Sequence, residues 1–447
     1  MSPAAGATDV GFPLLPTQRK REKEDGASVS GAVFNVSTSI IGAGIMSIPA
    51  TLKVLGVVPA FSLMIIVAFL ADLSVEFLLR YTFSGEKRTY AGVMGESFGP
   101  IGSVLVQIFV MMLNWGDVLS GNRLGESIHL GVLQEWFGPQ WWTARPYAIL
   151  FLLVFVLLPL VLYRRVDNQC SICALTAPLL DLLEIESLRF SSAVSVLLAV
   201  AFVAICSGMA ISAFVQGKTE RPRLFPHLNG RGSFFGLFTA VPVVVTAFTF
   251  HFNVHPISTE LGKQSKMTKA TGISVILCAA IYFGVGISGY LLFGDSIVSD
   301  ILVNFDRSSE SPVLNDLVRL SYALHLVLVF PLLNFSLRGN VDELIFPGRA
   351  ALASDNTRFL SFTFVILALT YVAAIAIPDI WIFFQYVGST AAVSLSLIFP
   401  AAITLRDVRG ISSTKDKVIA ALMVILAVTT SVIAIATNIV NIEGDGS

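Results

Sequence analysis

Two polar interruptions inside otherwise apolar stretches carry the chemistry of this chain. The first is Ser37-Thr38-Ser39-Ile40-Ile41-Gly42-Ala43-Gly44-Ile45-Met46-Ser47-Ile48-Pro49, and the second runs from Val241-Pro242 through Thr249-Phe250-His251-Phe252-Asn253-Val254-His255-Pro256. A backbone unwound in hydrocarbon needs partners for its N–H and C=O groups, so it persists only where it faces protein, a bound ion or a polar ligand. A broken helix in each half of a chain therefore points to a binding site at the membrane midplane. Unwinding at Gly42, Ala43 and Gly44, just before Ile45, frees backbone N–H groups, and the half-helix that follows adds a partial positive charge suited to a carboxylate. Freed carbonyls near Thr249, Phe250 and His251 can accept hydrogen bonds from an ammonium group. Together these recognise the part that all amino acids share. The competing view is that the small residues only let helices approach closely, but packing leaves the polar breaks in both halves unexplained.

Ionisable residues inside apolar stretches are costly, so each is a candidate for function. Asp72, Glu76 and Arg80 are spaced four apart on one helical face, where an internal salt bridge would neutralise them and leave a structural or gating role. Asp117 is close in sequence to Asn114, and substrate, a coupling ion or Arg123 could each be its partner. His251 and His255 share a helical spacing, but a helix broken between them and no nearby carboxylate argue against a metal. His325 can titrate between an acidic compartment and the cytosol, since an unperturbed imidazole has a pKa of ~6.5. A hydrogen-bonded core histidine is the alternative. Thr38 offers one hydroxyl to a coupling ion.

The elements that must position these groups are membrane spans. The chain of 447 residues is 55% hydrophobic and only 13% charged, with mean hydropathy +0.78, which is the composition of an integral membrane protein. The net charge of −1 offers no field for nucleic acid. Runs of about 20 apolar residues give eleven expected spans, near 31–52, 57–79, 101–121, 146–163, 190–214, 234–257, 271–293, 313–337, 359–377, 380–404 and 418–440. They leave a polar tail over 1–29, a transmembrane domain over 30–440 and a short tail over 441–447. The tail over 1–29 lacks the apolar core of a signal peptide. Most of the 29 Lys and Arg then collect on one face, which the positive-inside rule assigns to the cytoplasm together with the N-terminus. Lys218, Arg221, Arg223 and Arg231 dissent, because they fall on the opposite face. Of the cysteines, Cys206 and Cys278 sit in spans, and Cys170 with Cys173 forms an isolated C-x-x-C that lacks a second ligand pair.

Phe34-Asn35-Val36-Ser37, Ile41-Gly42-Ala43-Gly44-Ile45, Asp72-Leu73-Ser74-Val75-Glu76-Phe77-Leu78-Leu79-Arg80 and Gly116-Asp117-Val118-Leu119-Ser120-Gly121 occur in order. They are followed by His251-Phe252-Asn253-Val254-His255, Tyr290-Leu291-Leu292-Phe293-Gly294-Asp295 and Tyr322-Ala323-Leu324-His325-Leu326. On these segments the chain resembles the amino acid/auxin permease family. Within that family it is similar to the branch of vacuolar amino-acid transporters and sodium-coupled neutral amino-acid transporters. The resemblance implies an all-α, LeuT-like fold: two inverted five-helix repeats and an extra eleventh helix. Its implied function is secondary-active transport of amino acids by alternating access, in a monomer with no cofactor and no enzyme activity. The coupling ion is H+ or Na+. Related sodium-coupled transporters carry Asn at the position of Thr38 and Thr in span 8, where this chain has Val327-Leu328-Val329, and those departures favour H+. A vacuolar or a plasma membrane fits equally, and an amino-acid sensor of the same fold is the reading from another class. Residues 168–186 have no counterpart in the family pattern and read as an insertion.

Overall fold

A computed structural model describes residues 28–42, 44–122, 138, 140, 145–163, 188–228, 231–306, 312–346, 349, 352, 355–376 and 380–445. The insertion expected over 168–186, Cys170, Cys173 and Ala43 lie outside the described residues, and so does the turn at Pro378-Asp379.

The described spans are helical, with turns and coil between them, because only helices satisfy every backbone group within one segment inside lipid. Helix α1 (Val29–Ile40) starts at Ser28, whose hydroxyl accepts from Gly31 N at 3.2 Å as an N-cap. Helix α2 (Gly44–Leu55) resumes after the first break, with its axis bent by 58° from that of α1. Gly56 then adopts φ +77 against the backbone of Phe225, where any side chain would collide, and this turns the chain directly into α3 (Val57–Ser84). Helix α4 (Tyr90–Asn122) follows, bent at Gly99, whose φ is +71. A shorter segment, α5, is built from Arg145–Leu152, the wide turns of Leu153–Leu157, and Leu158–Tyr163. Helix α6 (Leu188–Val215) closes the first half.

The second half opens with α7 (Arg231–Gly236), α8 (Ala240–Ala247) and α9 (His251–Leu261). The second break lies between α8 and α9. Helices α10 (Gln264–Phe293), α11 (Ile301–Asp306), α12 (Pro312–Ile345) and α13 (Asn356–Ala376) follow. Then come α14 (Ile380–Val387), α15 (Phe399–Arg406) and α16 (Thr414–Asp445), with wide π-type turns over Gly388–Ala392 and Ser394–Ile398 between α14 and α15.

Among the described residues nine helices are long and apolar enough to span a bilayer, and the bent α1/α2 pair makes ten. The remaining expected span, the fourth in order, near 146–163, is the shorter apolar helix Pro146–Leu162. Burial separates inner from outer elements. The span Phe384–Arg406 is 83% buried within its apolar window, whereas Thr414–Val440 is only 28% buried, so α16 packs on the outside of the bundle. Helices α1, α6 and α10 pack against one another, α12 packs against α6 and α4, and α3 turns Ile65, Ile66 and Phe69 outward. Outward apolar faces are what a lipid-facing surface requires.

Candidate functional site

Both breaks are short, and each frees carbonyls at one helix end and amides at the next. Ile41 leaves the helical region at φ −77, ψ 90, and its own N–H returns to Ser37 O at 2.8 Å. In the second half Phe248 and Phe250 carry the non-helical conformations, with φ −104 and φ −132. The C-terminal ends of α1 and α8 come together with the N-terminal end of α2. A Cβ placed on Gly44 would sit 2.9 Å from Cα and Cβ of Ala247, so the two interrupted helices touch backbone to backbone. Only glycine allows this approach. Helix C-termini carry partial negative charge and N-termini partial positive charge, so this junction can take a zwitterion.

One side chain, which the sequence reading did not single out, joins the two breaks. Tyr282 of α10 is fully buried, and its hydroxyl lies 2.7 Å from Ile40 O and 2.9 Å from Ala247 O. Its single proton is shared between two carbonyls that have lost their helical partners. Phe248 packs edge-on to the Tyr282 ring at 5.2 Å and holds it in place. A buried tyrosine needs a partner for its hydroxyl, so Tyr282 in the uncharged run Thr271–Phe293 was the available signal. Tyr322 of α12 reaches the same junction, with its hydroxyl 3.4 Å from Gly42 O.

His325 of α12 sits against the first break and is fully buried. Its Nε2 lies 3.0 Å from Ile41 O, and its Nδ1 is 2.8 Å from both the hydroxyl and the carbonyl of Ser195 on α6. A neutral ring donates from Nε2 to Ile41 O and accepts at Nδ1 from the serine hydroxyl. A protonated ring donates to Ile41 O and to Ser195 O. Both protonation states therefore find partners without movement of the helices. Thr38 is committed next to this cluster, donating to Ser192 O of α6 at 3.0 Å.

The other sequence candidates divide. Thr249 and Phe250 are buried at the second break, with the Thr249 hydroxyl donating back to Val245 O at 2.6 Å. Ile45 is fully buried in the first turns of α2. Asn114 of α4 is buried and donates to Ser336 of α12 at 3.3 Å, while its carbonyl oxygen has no hydrogen-bond partner. Asp117 lies in α4, with its side chain outside the described residues.

The expectation of a helix broken between His251 and His255 is corrected: both lie in the continuous α9, and the break precedes His251. Pro256 is accommodated six residues into that helix, and the irregular backbone falls at Phe248 and Phe250 instead. His251 Nε2 lies 2.7 Å from the Ser74 hydroxyl, which itself donates to Ala71 O at 2.8 Å. His255 Nε2 lies 2.9 Å from the Thr82 hydroxyl, which donates to Leu78 O at 2.8 Å. Each hydroxyl has used its proton, so each imidazole is the donor. The pair pins α9 to α3.

A second correction concerns Asp72. Arg80 pairs with Glu76 at 2.7 Å and with Asp416 of α16 at 2.8 Å, and Asp72 takes no part. The reason is distance, since eight residues of helix span about 12 Å. Glu76 belongs to a larger clamp at one end of the bundle. There Asp407, between α15 and α16, accepts from Tyr81 at 2.6 Å, from Lys417 at 3.0 Å and from Ile411 N at 2.9 Å. Burial pushes the Asp407 carboxyl up, but these donors outweigh it and hold the pKa at about 2.

Comparison with known proteins agrees with this architecture. The family described as "Transmembrane amino acid transporter protein" matches residues 25–442. The chain is 56% identical to amino acid transporter AVT6C of Arabidopsis thaliana, over 97% of this chain and 98% of that one. It is 41% identical to AVT6A of the same plant, over 97% of this chain and 94% of that one. Among solved structures, a manganese transporter of Eremococcus coleocola superposes with TM-score 0.57 at 15% identity, covering 97% of this chain and 92% of the other. MhsT in complex with L-phenylalanine superposes with TM-score 0.54 at 13% identity, covering 93% and 100%. At these identities the structures speak to the fold, which is that of LeuT-type transporters.

Proposed function

Since this chain belongs to the transmembrane amino acid transporter family, we propose that it is a proton-coupled secondary transporter of amino acids that alternates access around the two interrupted helices. The observation that carries this reading is the junction itself. Two breaks from opposite halves meet at Gly44 and Ala247, are tied by the Tyr282 hydroxyl, and are touched by an imidazole that has partners in both protonation states. The N-terminus of α2, opening at Gly44, would hold the substrate carboxylate. The carbonyls at the ends of α1 and α8 would hold its ammonium. His325 would take a proton from the acidic side and release it to the other. The site is complete within one chain, so a monomer suffices. The excess of Lys and Arg on one face of the whole chain supports an N-terminus that would lie in the cytoplasm, in a vacuolar or a plasma membrane.

Uptake of labelled amino acids into vesicles, in sodium-free buffer with and without an imposed pH gradient, tests this. Uptake should rise as the substrate-side pH falls. His325→Gln should flatten that dependence more than it weakens substrate binding, because the amide keeps hydrogen-bonding capacity but does not titrate near neutrality. An unchanged pH profile in the variant removes His325 from the proton path. Uptake that requires a sodium gradient and ignores pH replaces H+ with Na+. Ligand binding with no uptake at all makes the protein a sensor.

A further inference from the structure

Away from the junction, a cleft of about 60 Å³ opens between the first turns of α1 and the last turn of α9, lined by Ser28, Asn35 and Glu260, with Ile257, Leu261 and the small Gly31 and Ala32 as its apolar wall. Its position follows from helical period. Asn35 and Ser39 are four apart on α1, and Asn253, Ile257 and Glu260 follow one another at four and three residues on α9, so each set shares a face. The two faces are tied near the break by Asn253 Nδ2 donating to the Ser39 hydroxyl at 3.1 Å. From that tie a seam of polar groups descends to the cleft, about 10 Å along α9 from Asn253 to Glu260.

The seam is rich in acceptors. Asn35 is 8% exposed and Asn253 2% exposed, yet the carboxamide oxygen of each lacks a hydrogen-bond partner. Glu260 makes no hydrogen bond or salt bridge among the described residues. Buried oxygens without donors are costly, and an ion or ammonium group that supplies the missing interactions would remove that cost. An anion would be repelled. The volume suits an ammonium head or an alkali ion with a few waters, given about 10–15 Å³ for each water in such a cavity.

We propose that this cleft is a cation subsite on the transport path at the N-terminal face. In it Glu260 and Asn35 hold a small monovalent cation, either the ammonium group of the amino acid or an alkali ion, as it passes between the junction and solvent. The inference rests on the transporter reading above. Glu260 sets the affinity seen from that face alone.

The test uses the full chain in proteoliposomes, selected through an N-terminal tag so that the N-terminal face points outward. Initial uptake of labelled amino acid is measured with methylammonium or Na+ added outside, at ionic strength held constant with choline. Competitive inhibition by methylammonium assigns the subsite to the substrate's ammonium, and inhibition by Na+ assigns it to an alkali cation that competes for the same oxygens. Either supports the subsite provided Glu260→Gln abolishes the inhibition. The same variant should raise KM from the N-terminal face about tenfold, the loss of one charge-assisted interaction, and leave KM from the opposite face within about twofold. Asn35→Ala gives a second reading, with a smaller rise on the same face, should Glu260→Gln fail to fold. A Glu260→Gln protein with unchanged KM and unchanged inhibition, or one whose KM rises equally from both faces, overturns the proposal. No uptake by the unaltered protein would instead refute the transporter reading.

Discussion

Gly44→Ala is the sharpest single perturbation of the junction. The added Cβ would lie 2.9 Å from both Cα and Cβ of Ala247, against about 3.5–4.0 Å for carbon atoms at ordinary contact. The two interrupted helices must therefore separate by roughly 0.6–1 Å, the difference between those contact distances. The same movement stretches the bonds from the Tyr282 hydroxyl to Ile40 O and Ala247 O, now 2.7 and 2.9 Å. Overpacking of this kind costs about 1–3 kcal/mol, and a misplacement near 1 Å in a positioned site can reduce rate about a hundredfold. Initial-rate uptake, normalised to the amount of folded protein in the membrane, should fall at least about tenfold, which corresponds to 1.4 kcal/mol. Gly44→Val should abolish uptake while membrane insertion survives. Ala247→Gly removes one of the two close contacts, so combining it with Gly44→Ala should recover part of the loss. Wild-type uptake by Gly44→Ala, or a double variant no better than the single one, would refute the claim that the breaks touch at this residue.

Tyr282→Phe keeps the ring against Phe248 but removes the donor shared by two buried carbonyls; Ile40 O keeps Gly42 N at 3.0 Å, so the cost of about 1–3 kcal/mol falls on Ala247 O. Its maximal uptake rate should drop while the amount of folded protein holds, and a rate within about twofold of wild type (~0.4 kcal/mol) would argue against the bridge. Asp407 has a depressed pKa in the folded protein, so its contribution to stability is complete above the ordinary carboxylate value of ~3.9. That contribution is lost as pH falls toward about 2. The melting temperature of Asp407→Asn in detergent should lie below wild type by a constant margin from pH 8 to pH 5. The margin should shrink below pH 4, and a margin that instead changes between pH 8 and pH 5 would contradict this assignment. Deleting residues 168–186 should preserve expression and uptake, and loss of both would show that the segment is an integral part of the protein.

Composition and the runs of apolar residues determined the class of molecule, because hydrocarbon admits only closed backbone and about 20 residues cross it. The first break was legible at Gly42 and Gly44, whereas the polar run around Thr249 and His251 marked the second only to within a turn. The polar side chains at His251 and His255 lie in continuous helix, and the irregular backbone falls at Phe248 and Phe250. The order of short segments was enough to mark the family. Sequence period reaches only three or four residues along a helix, so it placed Glu76 beside Arg80. It could not show that Arg80 also takes Asp416, or that Asp72 stands apart. Tertiary packing alone decided what the breaks face. Tyr282 reaches Ile40 across 242 residues of chain and His325 reaches Ile41 across 284. Such pairings are fixed by how helices from opposite halves lie together, and the pattern along any one helix carries no record of that.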